Sequence, residues 1–256
     1  MENIIKKDVS ISMQLLIQIQ LEQPLTLPIN YNQVLQGIVY HAIESTELAT
    51  FVHDTGYQSD ERSYKLFQFS QLNGHYRIKD KHITFDDTVW FEVRSLDPQI
   101  VLQVKESIDT QGVTFYTKKY THVRTQLRDE TVEAERIIAV MQTPITVHDT
   151  DPDTKKTIYY SPNDARFREL VADNFARKYK AYTGVEPKEP IVMEAGAFDE
   201  RDKCVTKYKG FYICGWKGSY ILRGQRKYLD FLYQAGLGDR NSQGFGMFDV
   251  EDVGEN

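Results

Sequence analysis

Cysteine is scarce in this 256-residue chain: Cys204 and Cys214 are the only two, and neither has a second cysteine or a histidine beside it at ligand spacing. A zinc site or a disulfide framework is therefore not indicated, and the pair reads as structural thiols, in keeping with the burial habit of free cysteine. Long apolar runs are missing as well, since none approaches the roughly 18 residues that a spanning helix needs. The opening MENIIKKDVSISMQLLIQIQL mixes acids with its bases and alternates Ile17, Ile19 and Leu21 with Gln18 and Gln20. That is a strand pattern, not the apolar segment of a signal peptide, so a soluble, cytoplasmic protein with no membrane partner is expected. Positive charge is in deficit, with 31 Lys and Arg against 37 Asp and Glu and a formal net charge of -6, so a site for a polyanion has to be local. The histidines at 41, 75, 82, 122 and 148 share no metal or catalytic spacing, and no metal or cofactor is called for.

What is present is ordinary for a globular protein: 41% hydrophobic, 27% charged and 12% aromatic residues exclude disordered and fibrous classes. The length exceeds a typical domain of roughly 100 to 200 residues, which points to two. The first half reads as a strand at about 9–22, a helix at about 30–45, a short second helix ending near His53, and strands at about 64–72 and 82–94. A helix opens at Pro98, with Ile100, Val101, Val104 and Ile108 at helical spacing, and a strand follows from Val113. The second half repeats the order. It has a strand at about 144–147, a long helix after Ser161 with Phe167, Leu170, Val171, Asn174 and Phe175 on one side, and strands at about 190–197 and 204–223. A helix at about 225–234, a glycine loop and a last strand through Met247 and Val250 close the chain. The doubled strand–helix–strand–strand–helix–strand order predicts an α+β protein of two tandem ferredoxin-like, or RRM-like, domains, 1–138 and 139–256. The run DETVEAER (129–136) reads as their connector and HDTDPDTKK (148–156) as a hairpin turn inside the second.

Two stretches carry chemistry. In AGLGDRNSQGFGMFDV (235–250) four of the chain's 15 glycines, Gly236, Gly238, Gly244 and Gly246, fall within eleven positions. A dinucleotide fingerprint would need a strand before and a helix after, with a sixth-position glycine where Asn241 stands, and a Walker loop would need Gly-Lys-Ser/Thr. Two readings survive: a helix cap followed by a bulged entry into the last strand, or a loop whose backbone N–H groups, with Arg240, Asn241 and Ser242, meet a nucleic-acid backbone. Between Lys203 and Tyr228 there are seven Lys or Arg, including Lys207, Lys209, Lys217 and Arg223, and no acid, with Tyr208, Phe211, Tyr212, Trp216, Tyr220 and Tyr228 interleaved. Cations that neutralise phosphates beside rings that stack unpaired bases form a combination used for RNA, set against a solvated strand face with core aromatics.

The loop GLGDRNSQGFG, with LPINYNQVLQGIVYHAI (27–43), LATFVHD (48–54) and YYSPNDARFRELVADNFARKY (159–179), resembles the CRISPR-associated repeat-specific endoribonucleases, which cut precursor CRISPR RNA into guide units. Four motifs in the family's order span about 27–250. The resemblance implies tandem ferredoxin-like domains, the first carrying the catalytic residues. It also implies binding of CRISPR repeat RNA and metal-independent cleavage, with effector-complex proteins or a second copy of the chain as further partners. It places a catalytic tyrosine at Tyr40 in QGIVYHAI, a histidine acid or base at His53 in ATFVHD, and a lysine at Lys65 in YKLFQF. The residues accommodate this. Tyr40 lies about 130° from the core stripe of its helix, beside Gly37, which is expected to clear space for a close neighbour. His53 turns away from Leu48, Phe51 and Val52 at a helix carboxyl end, a setting that favours imidazolium. Tyr40 is a feeble base unless a neighbour lowers its pKa, so His53 is ranked essential and Tyr40 assisting. The alternatives are a non-catalytic RNA-binding protein or complex subunit and, more weakly, an anion- or nucleotide-binding enzyme.

Overall fold

The computed structural model describes residues 13–60 and 62–252. The start of the strand expected at 9–22 and both outer ends of the expected domains lie outside them. The first unit runs β1 (Met13–Gln20), β2 (Leu25–Pro28), α1 (Asn32–His41) and α2 (Thr46–Thr50), the last continuing into a π-helical turn at Phe51–Thr55. It goes on through β3 (Tyr57–Ser59), β4 (Arg62–Tyr64), β5 (Phe67–Phe69), β6 (Asn73–Lys79), β7 (His82–Ser95), α3 (Pro98–Gln111), β8 (Val113–Phe115), β9 (Lys118–Tyr120) and β10 (Val123–Arg128). β1 alternates as its sequence does, with Leu15, Ile17 and Ile19 buried while Gln18 and Gln20 are exposed. It lies between β10 and β7, both antiparallel to it, and β5 and β6 pair along β7. Leu35 and Val39 of α1 and Ile100, Val101, Val104 and Ile108 of α3 close one side of this sheet into a single core. Each fully buried side chain of this kind is worth roughly 1.5–3 kcal/mol. Pro98 opens α3 behind an Asp97 side chain that accepts from the Gln99 N–H at 3.0 Å, and Gly112, at φ +73°, ends it.

The second unit runs β11 (Arg136–Met141), β12 (His148–Thr150), β13 (Thr157–Tyr159), α4 (Ala165–Thr183), β14 (Val192–Ala195), β15 (Lys203–Tyr208), β16 (Phe211–Trp216), β17 (Ser219–Arg223), α5 (Arg226–Ala235) and β18 (Phe248–Asp252). Its sheet has the order β14-β17-β11-β18, which is second, third, first and fourth in the split β-α-β scheme; the first unit has the same plan. The fold is therefore α+β, a tandem of ferredoxin-like units. The expected side of α4 is the buried one, with Phe167, Leu170, Val171, Asn174 and Phe175 facing inward. The first strand of this unit differs from expectation: it is β11, which crosses position 138, whereas residues 144–147 form an irregular segment joined to the rest by a bridge from Ile145 to Trp216. The turn at 148–156 closes the β12–β13 hairpin as expected. No helix among the described residues is long and apolar enough to cross a membrane. Cys204 and Cys214 are free thiols, half-buried in the β15–β16 hairpin.

The units are joined by buried polar contacts that cross between them. Arg94 of β7, 1% exposed, donates to Glu92 in its own strand, to the Phe248 carbonyl at 2.7 Å and to Asp249 at 3.2 Å, and its guanidinium lies 4.0 Å from the Tyr233 ring centroid. Gln68 of β5 donates to the Tyr233 carbonyl at 2.7 Å. A charge buried this deeply costs several kcal/mol unless it is fully paired, so these partners fix how the units meet.

Candidate active site and nucleic-acid interface

One flank of α1, beside its core stripe, carries Asn32, Gln36 and Tyr40, four residues apart and hence stacked along one side of the helix. The glycine loop of the second unit lies against that side. Asn32 donates to the carbonyls of Gln243 and Gly244 at 2.9 and 3.3 Å, Gln36 donates to the Ser242 carbonyl at 2.6 Å, and the Tyr208 hydroxyl donates to Gln36. Two glycines show why the loop needs them. A Cβ on Gly246, at φ +78°, would fall 2.0 Å from the Leu237 carbonyl oxygen, and one on Gly244, at φ +83°, would strike Phe69 at 2.7 Å and Asn32 at 2.8 Å. Gly236 and Gly238 are likewise left-handed.

Tyr40 sits at the end of this face, half-buried. Its ring meets His53 edge-on with centroids 5.6 Å apart and Phe67 in the same manner at 5.5 Å. His53 comes from the π-helical turn that follows α2, a widened turn of the kind that often marks functional positions. Its Nδ1–H donates to Asp54 at 2.5 Å, which leaves Nε2 without a partner among the described residues, and its side chain is 72% exposed. Lys65 approaches from the irregular stretch between β4 and β5. The next residue, Leu66, is buried at φ +50°, and its carbonyl accepts from the Ser95 hydroxyl and the Leu96 N–H, so the backbone is pinned where Lys65 leaves it. Its Nζ donates to the His53 carbonyl at 2.9 Å. The three residues that the resemblance assigned thus converge from separate elements.

Burial pushes the Tyr40 phenol up to about 12, the neighbouring Tyr208 adds to this, and a hydrogen bond with Ser242 opposes it. The lowering that a tyrosine base would require is not found, and near neutral pH Tyr40 is a hydrogen-bond donor. Partial burial lowers the Lys65 ammonium, with Asp54 acting against it. Gly37 does not clear space for a neighbour: nothing lies within 4 Å of a Cβ placed there.

Beside the trio opens a pocket of about 360 Å³, lined by Arg62, Lys65, Lys178 and Arg240 among others and, among the described residues, by one carboxylate, Asp239. His148 Nδ1 stands 3.0 Å from Asp239, and Asn174 donates to it at 2.6 Å. Burial would raise the Asp239 carboxyl, but His148, Lys178 and Arg62 hold it below its usual range. Lys178 of α4 is the residue the sequence reading missed. Its buried Nζ donates to the Gly236 carbonyl at 2.7 Å and to the Asn241 side-chain oxygen at 2.8 Å, while the Asn241 amide donates to the carbonyls of Leu237 and Phe245, both at 3.0 Å. Burial lowers this ammonium to about 7, Asp239 opposing and Arg177 adding. Lys178 belongs to the polar run ARKYK, which reads as a solvated helix face; only the loop's return to α4 makes it internal.

The residues expected to bind RNA separate into groups. Ser242 and Arg240 lie at the pocket, and Arg240 is held at φ +62° with Nη1 donating to Gln243. Asn241, by contrast, is 9% exposed and spends its side chain inside the loop. Lys207 and Lys209 are exposed at the tip of the β15–β16 hairpin. Lys217 donates to Gln71 at 3.0 Å, and Arg223 faces Glu194 at 3.4 Å on the edge of the second sheet. Of the six interleaved rings, Tyr208, Trp216, Tyr220 and Tyr228 are buried in the cores, which leaves Phe211 and Tyr212 open to a base.

Residues 127–250 match the family model described as CRISPR associated protein Cas6, C-terminal. The chain is 25% identical over 231 residues to the CRISPR-associated endoribonuclease Cas6 of Pyrococcus furiosus, covering 88% of this chain and 84% of that one. It is 24% identical over 250 residues to the CRISPR-associated endoribonuclease Cas6 1 of Methanocaldococcus jannaschii, covering 94% of each. A solved CRISPR associated protein Cas6 superposes with a TM-score of 0.76 at 20% identity, covering 94% of this chain and all of that one.

Proposed function

We propose that the chain is one of the CRISPR-associated repeat-specific endoribonucleases and that it cuts CRISPR precursor RNA within its repeats, without a metal ion, to release guide units. The observation that carries this reading is the meeting of Tyr40, His53 and Lys65 beside a pocket rich in cations. The 2'-hydroxyl upstream of the scissile bond attacks the adjacent phosphorus; the new O2'–P bond forms as the P–O5' bond breaks, giving a 2',3'-cyclic phosphate and a 5'-hydroxyl. The departing O5' takes its proton from His53 Nε2, while Asp54 holds Nδ1 and orients the ring. Tyr40 keeps its proton and donates to a phosphate oxygen, and the proton of the 2'-hydroxyl passes to solvent at this open site. Lys65, with Arg62 and Arg240 on the pocket wall, places positive charge where the phosphate oxygens gain negative charge. The chemistry is assigned to the first unit, and the basic hairpin and glycine loop of the second are assigned to holding the RNA. Incubation with the repeat RNA of the same genome tests this: cleavage unchanged by chelator, with cyclic-phosphate ends, is expected. Cleavage that chelator abolishes would refute the metal-free mechanism, and binding without any cleavage would favour a non-catalytic RNA-binding role.

A further inference from the structure

Asn32, Gln36 and Tyr40 use one flank of α1; Gly37, Ile38 and His41 line a groove of about 900 Å³ on another. The groove lies between α1, the last turn of α3, the β8–β9 hairpin and the tip of the β15–β16 hairpin, so both units contribute to it. Its lining includes Lys119 from the first unit and Lys207 and Lys209 from the second, and no Asp or Glu among the described residues, in a chain whose formal net charge is -6. Glu44 accepts a hydrogen bond from Gln111, one of the lining residues. Val34, Ile38 and Ile108 give the groove apolar wall. Tyr116, 62% exposed, stands at the turn of the β8–β9 hairpin with φ +55°, a conformation unfavourable for a bulky residue.

A groove with some apolar wall, an exposed ring and a one-sign rim fits an unpaired nucleic-acid strand, whose bases stack while its phosphates meet ammonium groups. We propose that this groove binds an unpaired stretch of the RNA flanking the scissile bond, with Tyr116 stacking on a base and Lys119, Lys207 and Lys209 contacting phosphates. The proposal rests on the RNA-cutting reading above. The shared element is α1, which carries Tyr40 on one flank and Gly37 and His41 on the flank that lines the groove.

The test exploits the open space at Gly37, where a Gly37→Glu side chain enters the groove with no atom within 4 Å of its Cβ. Affinity for the repeat RNA is measured across salt concentrations for the wild type, Gly37→Glu, Tyr116→Ala and the combined Lys119→Ala, Lys207→Ala and Lys209→Ala variant, with thermal melting alongside. Gly37→Glu is expected to weaken binding about tenfold or more without lowering the melting temperature. Tyr116→Ala is expected to weaken it roughly 5- to 150-fold, as loss of one stacked base does. The triple variant should flatten the slope of log K against log salt by about 2, three phosphates at about 0.7 each. Shortening the RNA from one end should shrink these differences, and shortening it from the other should preserve them. Wild-type cleavage together with wild-type affinity in Gly37→Glu and Tyr116→Ala would overturn the groove assignment alone. A wild-type protein that neither binds nor cuts the RNA would overturn the function proposed above and the groove with it.

Discussion

In the first unit the proposed proton donor stands in the open: the His53 side chain is 72% exposed and has one carboxylate partner, Asp54, among the described residues. In the second, the loop that faces it is sealed, with Asn241 9% exposed, its amide donating twice, its oxygen accepting from a fully buried Lys178, and glycines where any Cβ would collide. On the mechanism proposed above, the exposed side lets a phosphate in and a proton out. On the same proposal the sealed side has to stay fixed, since Ser242 and Arg240 would act only at a set distance from Tyr40 and Lys65. Damage to the first should therefore change chemistry and spare the fold, whereas damage to the second should change both.

The sharpest way to break that contrast is His53→Ala. Cleavage should fall by about 10²- to 10⁴-fold in single-turnover assays, with RNA affinity unchanged and folding stability within about 0.5 kcal/mol of wild type. A comparable loss of stability would place His53 with the loop. Gly246→Ala should do the opposite, costing roughly 1–3 kcal/mol in denaturant unfolding because both its φ and the Leu237 carbonyl exclude a side chain, with cleavage lost in consequence.

Lys178→Met should leave the Gly236 carbonyl and the Asn241 oxygen without their donor, at about 1–3 kcal/mol for an unsatisfied buried group. Here pH provides a second readout. The unfolded chain keeps this proton up to about 10.5, whereas burial lowers the folded pKa to about 7, so between those values the unfolded state binds more protons. Wild-type stability should therefore gain from Lys178 as pH rises from about 7 towards 10, by at most about 1.4 kcal/mol per pH unit, and the variant should lack this gain. Equal pH slopes in the two proteins would show that the ammonium is not confined as the structure places it. The smallest effect is expected of Tyr40→Phe, a loss of about tenfold in cleavage rate, because a phenol pushed up to about 12 supplies a hydrogen bond and not a base. A loss as large as that of His53→Ala would show that Tyr40 does take the proton.

Much of this was legible in local periodicity. The α3 and α4 apolar faces, the β12–β13 turn and the doubled strand–helix order follow from spacings that burial then obeys. β11 was displaced because RIIAVM adjoins a charged connector and lacks clean alternation; it is the strand between β17 and β18, with Ile137, Ala139 and Met141 buried and Ile138 and Val140 half-buried. The irregular Lys65–Leu66 stretch, which splits the expected strand at 64–72, depends on a left-handed Leu66 that no local signal marks. The trio itself came from motif resemblance, since a tyrosine, a histidine and a lysine 25 positions apart carry no geometric signal of their own. The basic stretch at 203–228 was legible as charge but not as direction: a hairpin alternates its faces, and the packing of the second unit decides that Lys207 faces solvent while Tyr208 is buried. Lys178 was illegible for the same reason, since its surroundings are built by residues about 60 positions away.

The most direct measurement replaces the single 2'-hydroxyl upstream of the scissile bond with hydrogen in an otherwise unaltered repeat RNA. The substituted RNA should bind with the affinity of the unmodified one and remain uncut. Cleavage at an undiminished rate would show that the RNA's own sugar is not the nucleophile and would contradict the roles given to His53, Tyr40 and Lys65.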